Sequence, residues 1–248
     1  TQRTSRQNII RCKHLNQWMN ARTAWMDMQR WNRCADPELK ISDFDGSDCL
    51  IGLDLSTKID VTAKVKLFER NGVYYLFGQY FIPEETAELG ENTHYQGWIK
   101  DGWMMTTPGD VIDYELIRDE IIKDSRRHNV TGVAYDPWQA TQLALQLQQD
   151  GAPVVEYRNT VQNLSEPMKQ LQALVYSRKL RHNGDPVMAW MMSNVVAKTD
   201  AKDNIFPRKE REQAKIDGPV AAIMAMGMSI KAQIEGPSVY EERGILLL

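Results

Sequence analysis

Asn71-Gly72 stands between two apolar runs, an alternating one at Val61 to Leu67 and a second at Val73 to Phe77, and this arrangement constrains the fold more than any other feature of the chain. An Asn-Gly pair supplies the two left-handed backbone positions of a tight hairpin turn, so the flanking runs are predicted to be antiparallel strands. Before them, Leu50-Ile51-Gly52-Leu53-Asp54-Leu55 reads as a buried strand. Val61, Ala63, Val65 and Leu67, with polar residues between them, read as a half-buried one. After the hairpin the period changes. Leu116, Ile117, Glu120, Ile121 and Asp124 recur at helical spacing up to about Asn129, and Val130 to Tyr135 reads as another buried strand. A helix follows over 139–149, Val154-Val155 begins a further strand, and helices are expected over 165–176, 186–194 and 217–233. A three-strand antiparallel meander followed by alternating helices and strands predicts an α/β protein, a mixed sheet flanked by helices, rather than a doubly wound parallel sheet.

Residues 1–49 are expected to form a helical lead-in, because Leu15, Trp18, Met19, Trp25, Met26 and Met28 make an apolar stripe that Asp36-Pro37 closes. Residues 50–235 form the main domain and 236–248 a tail. Gly97, Gly102, Pro108 and Gly109, with Trp98 and Trp103 among them, mark 83–110 as a long surface excursion folded onto the sheet. With 42% hydrophobic and 25% charged residues the chain can bury a substantial core. Its apolar runs fall far short of the roughly 20 residues that span a bilayer, and no secretory leader pattern is present, so the expectation is a protein that is neither secreted nor membrane-bound. Cys12, Cys34 and Cys49 are odd in number and lack metal-ligand spacing, which favours reduced cysteines with packing roles.

The net charge of −3 hides an uneven distribution: Arg3, Arg6, Arg11, Lys13, Arg22, Arg30 and Arg33 face only Asp27 in the opening segment, and basic clusters recur at 126–128, 178–182 and 208–209. Lys198, Lys202, Arg208 and Lys209, in and beside a predicted hairpin, are candidates for contact with a polyanion.

Asp54 is the sharpest anomaly, a carboxylate in an apolar strand, where burial demands a metal, a cation or local amide partners. Asp136 repeats the arrangement at the end of a second apolar strand, although Asp-Pro also simply begins turns. Asp217 precedes Gly218-Pro219 and an apolar helix, and helix capping explains it fully without chemistry. His128 and His182 lack a ligand-spaced partner and read as structural, and Trp98, Trp103, Trp138 and Trp190 read as core before they read as base-stacking residues.

In order along the chain, Ile51-Gly-Leu-Asp-Leu-Ser56, Asp60-Val-Thr-Ala63, Thr107-Pro-Gly-Asp-Val-Ile-Asp-Tyr114, Ala134-Tyr-Asp-Pro-Trp138, the 200–207 segment and Lys215-Ile-Asp-Gly-Pro-Val-Ala-Ala-Ile-Met-Ala225 resemble the nuclease domain of tailed-phage terminase large subunits. The resemblance implies an RNase H-like fold and an endonuclease that cuts concatemeric double-stranded DNA during genome packaging. It implies two divalent cations, Mg2+ or Mn2+, held by Asp54, Asp136 and Asp217, which would also be the catalytic residues. Asp60 and Asp200 are then candidates for supporting, non-ligating roles. By the same resemblance the partners are the terminase small subunit, the portal and the terminase ATPase domain, in the host cytoplasm. The family's GxxxxGK[ST] phosphate loop has no counterpart in this sequence, so no ATPase activity is expected from these residues. Two other readings stay open: a DNA-clamping or docking domain without cleavage, and an actin-like ATPase or kinase, whose first phosphate loop Gly52 to Thr57 also resembles.

Overall fold

The computed structural model describes residues 24–55, 59–89, 94–211 and 213–234. The meander forms as predicted. Strands β1 (Asp48–Asp54), β2 (Thr62–Arg70) and β3 (Val73–Pro83) pair antiparallel in turn, and Asn71 and Gly72 both take positive φ, 54° and 74°, at the hairpin. Helix α1 (Met28–Asn32) precedes the meander, and α2 (Glu84–Glu88), α3 (His94–Lys100) and β4 (Met105–Thr107) follow it. Next come α4 (Tyr114–Arg127), β5 (Asn129–Tyr135), α5 (Pro137–Gln149), β6 (Val154–Glu156) and α6 (Val161–Tyr176). The remaining elements are β7 (Leu180–His182), α7 (Pro186–Asn194), β8 (Val195–Thr199), β9 (Ile205–Lys209) and α8 (Asp217–Ile234). The main sheet runs β4-β3-β2-β1-β5-β6, with β7 also pairing β3, while β8 and β9 form a separate hairpin. Strand β1 lies at the centre, antiparallel to β2 and parallel to β5.

Helices cover both faces of the sheet. On one, α8 crosses β1 and β2 with α6 and α7 beside it, and residues Gly218 to Ser229 of α8 are all buried. A helix apolar on every side belongs inside a core, here between the sheet and its neighbouring helices. On the other face α4 and α5 pack Ile117, Ile121, Leu143 and Leu147 against Ile51, Leu53 and Val133. No helix among the described residues is long and apolar enough to cross a membrane.

Three sequence expectations change. Strand β2 is not half-buried: Thr62 and Lys64 are fully covered and Lys66 nearly so. Asp124 of α4 makes this tolerable, its two oxygens accepting from Lys64 Nζ at 2.5 Å and Lys66 Nζ at 2.6 Å, so the lysines are paired where their stems are buried. The 83–110 stretch, expected as a surface excursion folded onto the sheet, does more than lie on it: Met105–Thr107 joins the sheet edge parallel to β3, and Tyr95, Met104 and Thr107 are buried. In the lead-in, the described helix is confined to Met28–Asn32, and Trp25, Met26, Met28 and Trp31 pack into the same core as α6 to α8. The earlier half of that stripe lies outside the described residues, as do Cys12 and the tail. Cys34 and Cys49 are free and buried. His128 and His182 are buried too, each with a ring nitrogen on a backbone carbonyl, as structural histidines should be.

Candidate active site

The parallel pairing of β1 and β5 sets Leu53 opposite Tyr135, so Asp54 and Asp136, one residue further on, stand side by side at the carboxyl ends of adjacent strands. Ligands gather at such strand ends because the chain turns away there and leaves a crevice. Asp217 arrives from the other direction, on the first turn of α8. Gly52 and Asp54, two residues apart, share a face of β1, and Ala221 lies one turn after Asp217. A methyl placed on Gly52 would overlap the Ala221 carbonyl, so this close approach sets the helix down on the strand and carries Asp217 to the same edge.

Asp54, Asp60, Asp136 and Asp217 are each partly exposed as residues, although protein is packed densely around Asp54 and Asp217. Burial is the main reason the Asp54 carboxyl is pushed well above the usual carboxylate range, and the neighbouring charges of Asp217, Asp136 and Asp60 push it further. The Asp217 carboxyl is raised to about 7, again by burial first and then by Asp60, while Lys215 and Lys209 oppose the shift. Four acids thus share one electrostatic neighbourhood.

Their individual settings differ. Asp136 is held rigidly: Oδ1 accepts from the Trp138 N–H and Oδ2 from the Asn159 N–H, both at 3.0 Å, and each oxygen keeps another lone pair. Asp60 is matched by Lys215, whose Nζ lies 2.6 Å from Oδ1 and 2.7 Å from Oδ2. Asp217 Oδ2 is buried without a hydrogen-bond partner. The capping explanation for Asp217 does not hold, because the Val220 N–H bonds to the Ile216 carbonyl at 3.0 Å and Ile216 therefore occupies the cap position. Carboxylate oxygens are the donors that hard divalent cations prefer, and the orphaned Asp217 oxygen and the mutual repulsion at Asp54 both suit such an ion. Among the described residues no three His, Cys, Asp or Glu side chains are drawn together closely enough to hold an ion as they stand.

Asp200 is placed elsewhere, in the turn of the β8–β9 hairpin, where it accepts from the amides of Lys202 and Asn204 and from the Asn204 side chain. These bonds all stay within the turn, which gives Asp200 a turn-ordering role. Lys198, Lys202, Arg208 and Lys209 are exposed on this hairpin, and Lys209 is near enough to Asp217 to depress its pKa. Sequence reasoning passed over Lys215, whose spacing two before Asp217 was the available signal, and Asn159, which gave none. The reading of the tryptophans as core also fails at one position: Trp98 and Trp190 pack together at 5.3 Å, but Trp138 is 90% exposed.

The central β1, the flanking antiparallel β2 and β3, the parallel β5 and the acids at one sheet edge define an RNase H-like nuclease fold. The chain belongs to the terminase large subunit, endonuclease domain family, whose model matches residues 1–233. Protein YmfN of Escherichia coli K12 is 32% identical over 237 residues, covering 90% of this chain and 52% of that protein. The terminase large subunit of Enterobacteria phage HK97 is 28% identical over 227 residues, covering 89% of this chain and 44% of its own. The crystal structure of the HK97 large terminase superposes with a TM-score of 0.74 over 91% of this chain and 47% of that one. The large terminase nuclease of thermophilic phage G20c with bound magnesium shares the fold, with a TM-score of 0.55 at 13% identity, over 83% of this chain and 97% of that one. The chain therefore spans about half the length of the curated relatives it matches.

Proposed function

We propose that this chain is a metal-dependent DNA endonuclease that hydrolyses phosphodiester bonds of concatemeric double-stranded DNA during phage genome packaging. Asp54, Asp136 and Asp217 are its catalytic carboxylates and hold two divalent cations, Mg2+ or Mn2+. The observation that carries this reading is the crowding of acids around Asp54 at one sheet edge, beside an Asp217 oxygen with no partner of its own. So much unneutralised carboxylate charge in one place disfavours the ionised state unless a cation is bound. The family resemblance and the magnesium in the G20c nuclease point the same way.

Bound there, divalent ions activate water and stabilise the leaving oxygen of a phosphodiester. The chain's own residues prepare the place. Asp136, fixed by two backbone amides, gives a rigid ligand, and Asp54, at the end of the central strand beside it, feels the charge of both Asp136 and Asp217. Lys215 neutralises Asp60, which suits Asp60 to supporting the site without ligating, and keeps a positive charge beside the acids. The exposed Lys198, Lys202, Arg208 and Lys209 of the β8–β9 hairpin, of which Lys209 is near Asp217, offset phosphate charge on the approaching DNA. The small subunit, the portal and the ATPase domain of the terminase are the proposed partners, in the host cytoplasm.

Supercoiled plasmid incubated with the purified chain should be nicked and linearised in Mn2+ and left intact in EDTA, without ATP and with little sequence preference. Binding without any metal-dependent product would replace this reading with a DNA-clamping domain, and an ATP requirement would count against it.

A further inference from the structure

Among the exposed large hydrophobic residues Trp138 is the bulkiest, and it stands two residues from Asp136 on the opening turn of α5, the helix that also exposes Leu145 farther along. The rest of that helix packs normally, with Ala140, Leu143, Ala144 and Leu147 buried, so α5 turns its apolar stripe inward and leaves its largest side chain in solvent. Beside the indole is a cavity of about 410 Å³, lined by Asp136, Pro137, Trp138, Arg158, Asn159 and Thr160. Its lining joins an aromatic face, a cation and an unsatisfied polar atom. Arg158 is largely exposed, and among the described residues its ion-pair contact is Glu156 at 3.9 Å. Asn159, whose amide N–H helps to fix Asp136, has a side-chain oxygen that is buried without a hydrogen-bond partner.

These three groups suit the base and the phosphate of a nucleotide. An indole face stacks on any base, a guanidinium pairs with phosphate, and a carboxamide bonds to the edge of a base. Within a paired duplex both faces of a base are covered by its neighbours, so an indole can stack only on a nucleotide that has left the stack. We infer that Trp138, Arg158 and Asn159 form a subsite for one unstacked nucleotide adjoining the phosphate to be cut. The chain then acts faster where the duplex opens easily. This inference rests on Asp136 belonging to the cleavage site. Trp138 is a positioning residue, acting on DNA next to the reacting atoms.

The test uses the whole chain with two duplexes, one fully paired and one with a short mismatched stretch, cleaved in Mn2+. Base–indole stacking predicts a KM about tenfold lower for the mismatched duplex. Trp138→Ala should erase that difference by raising KM for mismatched DNA, with the loss carried in KM rather than kcat, and Trp138→Phe should keep most of it. Arg158→Ala should weaken both substrates and flatten the salt dependence. Equal KM values with wild type, or a difference that survives in Trp138→Ala, overturn the subsite and leave the nuclease reading standing. If wild type does not cleave, the nuclease reading fails, and binding of 2-aminopurine-labelled mismatched DNA in Ca2+ still decides the subsite. Quenching by wild type that is lost in Trp138→Ala supports it; quenching alike in both, or in neither, overturns it.

Discussion

Gly52 and Ala221 touch backbone to backbone, leaving no room for a side chain on the strand where helix α8 crosses it. Because Asp54 is two residues beyond Gly52 and Asp217 one turn before Ala221, this contact sets the spacing of two catalytic candidates. Gly52→Ala should destabilise the fold by about 1–3 kcal/mol, the usual cost of overpacking. It should reduce cleavage by more than the loss of folded protein explains. Gly97→Ala is the control: it sits in helix α3 with nothing near its added methyl, and should be neutral or stabilising by up to about 1 kcal/mol. Thermal unfolding and cleavage assays on the two variants check this.

Removing a ligand differs from removing a support. Asp54→Ala, Asp136→Ala and Asp217→Ala should each lower the cleavage rate by more than about a hundredfold while DNA binding in Ca2+ persists. Asp60→Asn, which loses the charge facing Lys215, should cost about 10–100-fold and be partly rescued by higher Mn2+. Equal losses for Asp60→Asn and Asp54→Asn, neither rescued by metal, would make Asp60 a ligand.

Buried Asp185 gives a pH signature away from the site. It caps α7 by accepting from the amides of Val187 and Met188, accepts the Tyr80 hydroxyl at 2.6 Å, and burial raises its carboxyl to about 6. A raised carboxyl keeps its proton in the folded protein where the unfolded chain has released it. Its contribution is therefore most favourable below about pH 4, declines as pH rises towards 6, and is constant above. Denaturant unfolding across pH 4–7 should show that decline in wild type and a flatter profile in Asp185→Asn, which retains a capping side chain.

The basic hairpin should act additively and without sequence preference. Lys198→Ala, Lys202→Ala and Arg208→Ala should each weaken DNA binding modestly and reduce the slope of log affinity against log salt by about one. Anisotropy titrations between low and physiological salt measure it. An unchanged slope in all three would remove the hairpin from the DNA path.

Local physics settled much of this protein. Asn71-Gly72 could close only a tight turn, and the change from strand to helical period gave the main strands and helices in order, though not the short β4 and β7. The same apolar runs singled out Asp54 and Asp136 as charges ending strands. Pairwise facts across the fold lay beyond that reach. Lys64 and Lys66 looked solvent-facing until Asp124, some sixty positions on, neutralised them inside. Asp217 looked like a helix cap until the register of α8 gave that place to Ile216 and left a buried Asp217 oxygen unpartnered. Trp138 looked like core because tryptophan usually is; only the packing of α5 decides that it faces water beside Asp136. Sequence period reports which face of an element is apolar, but the partner each polar atom meets depends on contacts between distant segments, which only the tertiary structure decides.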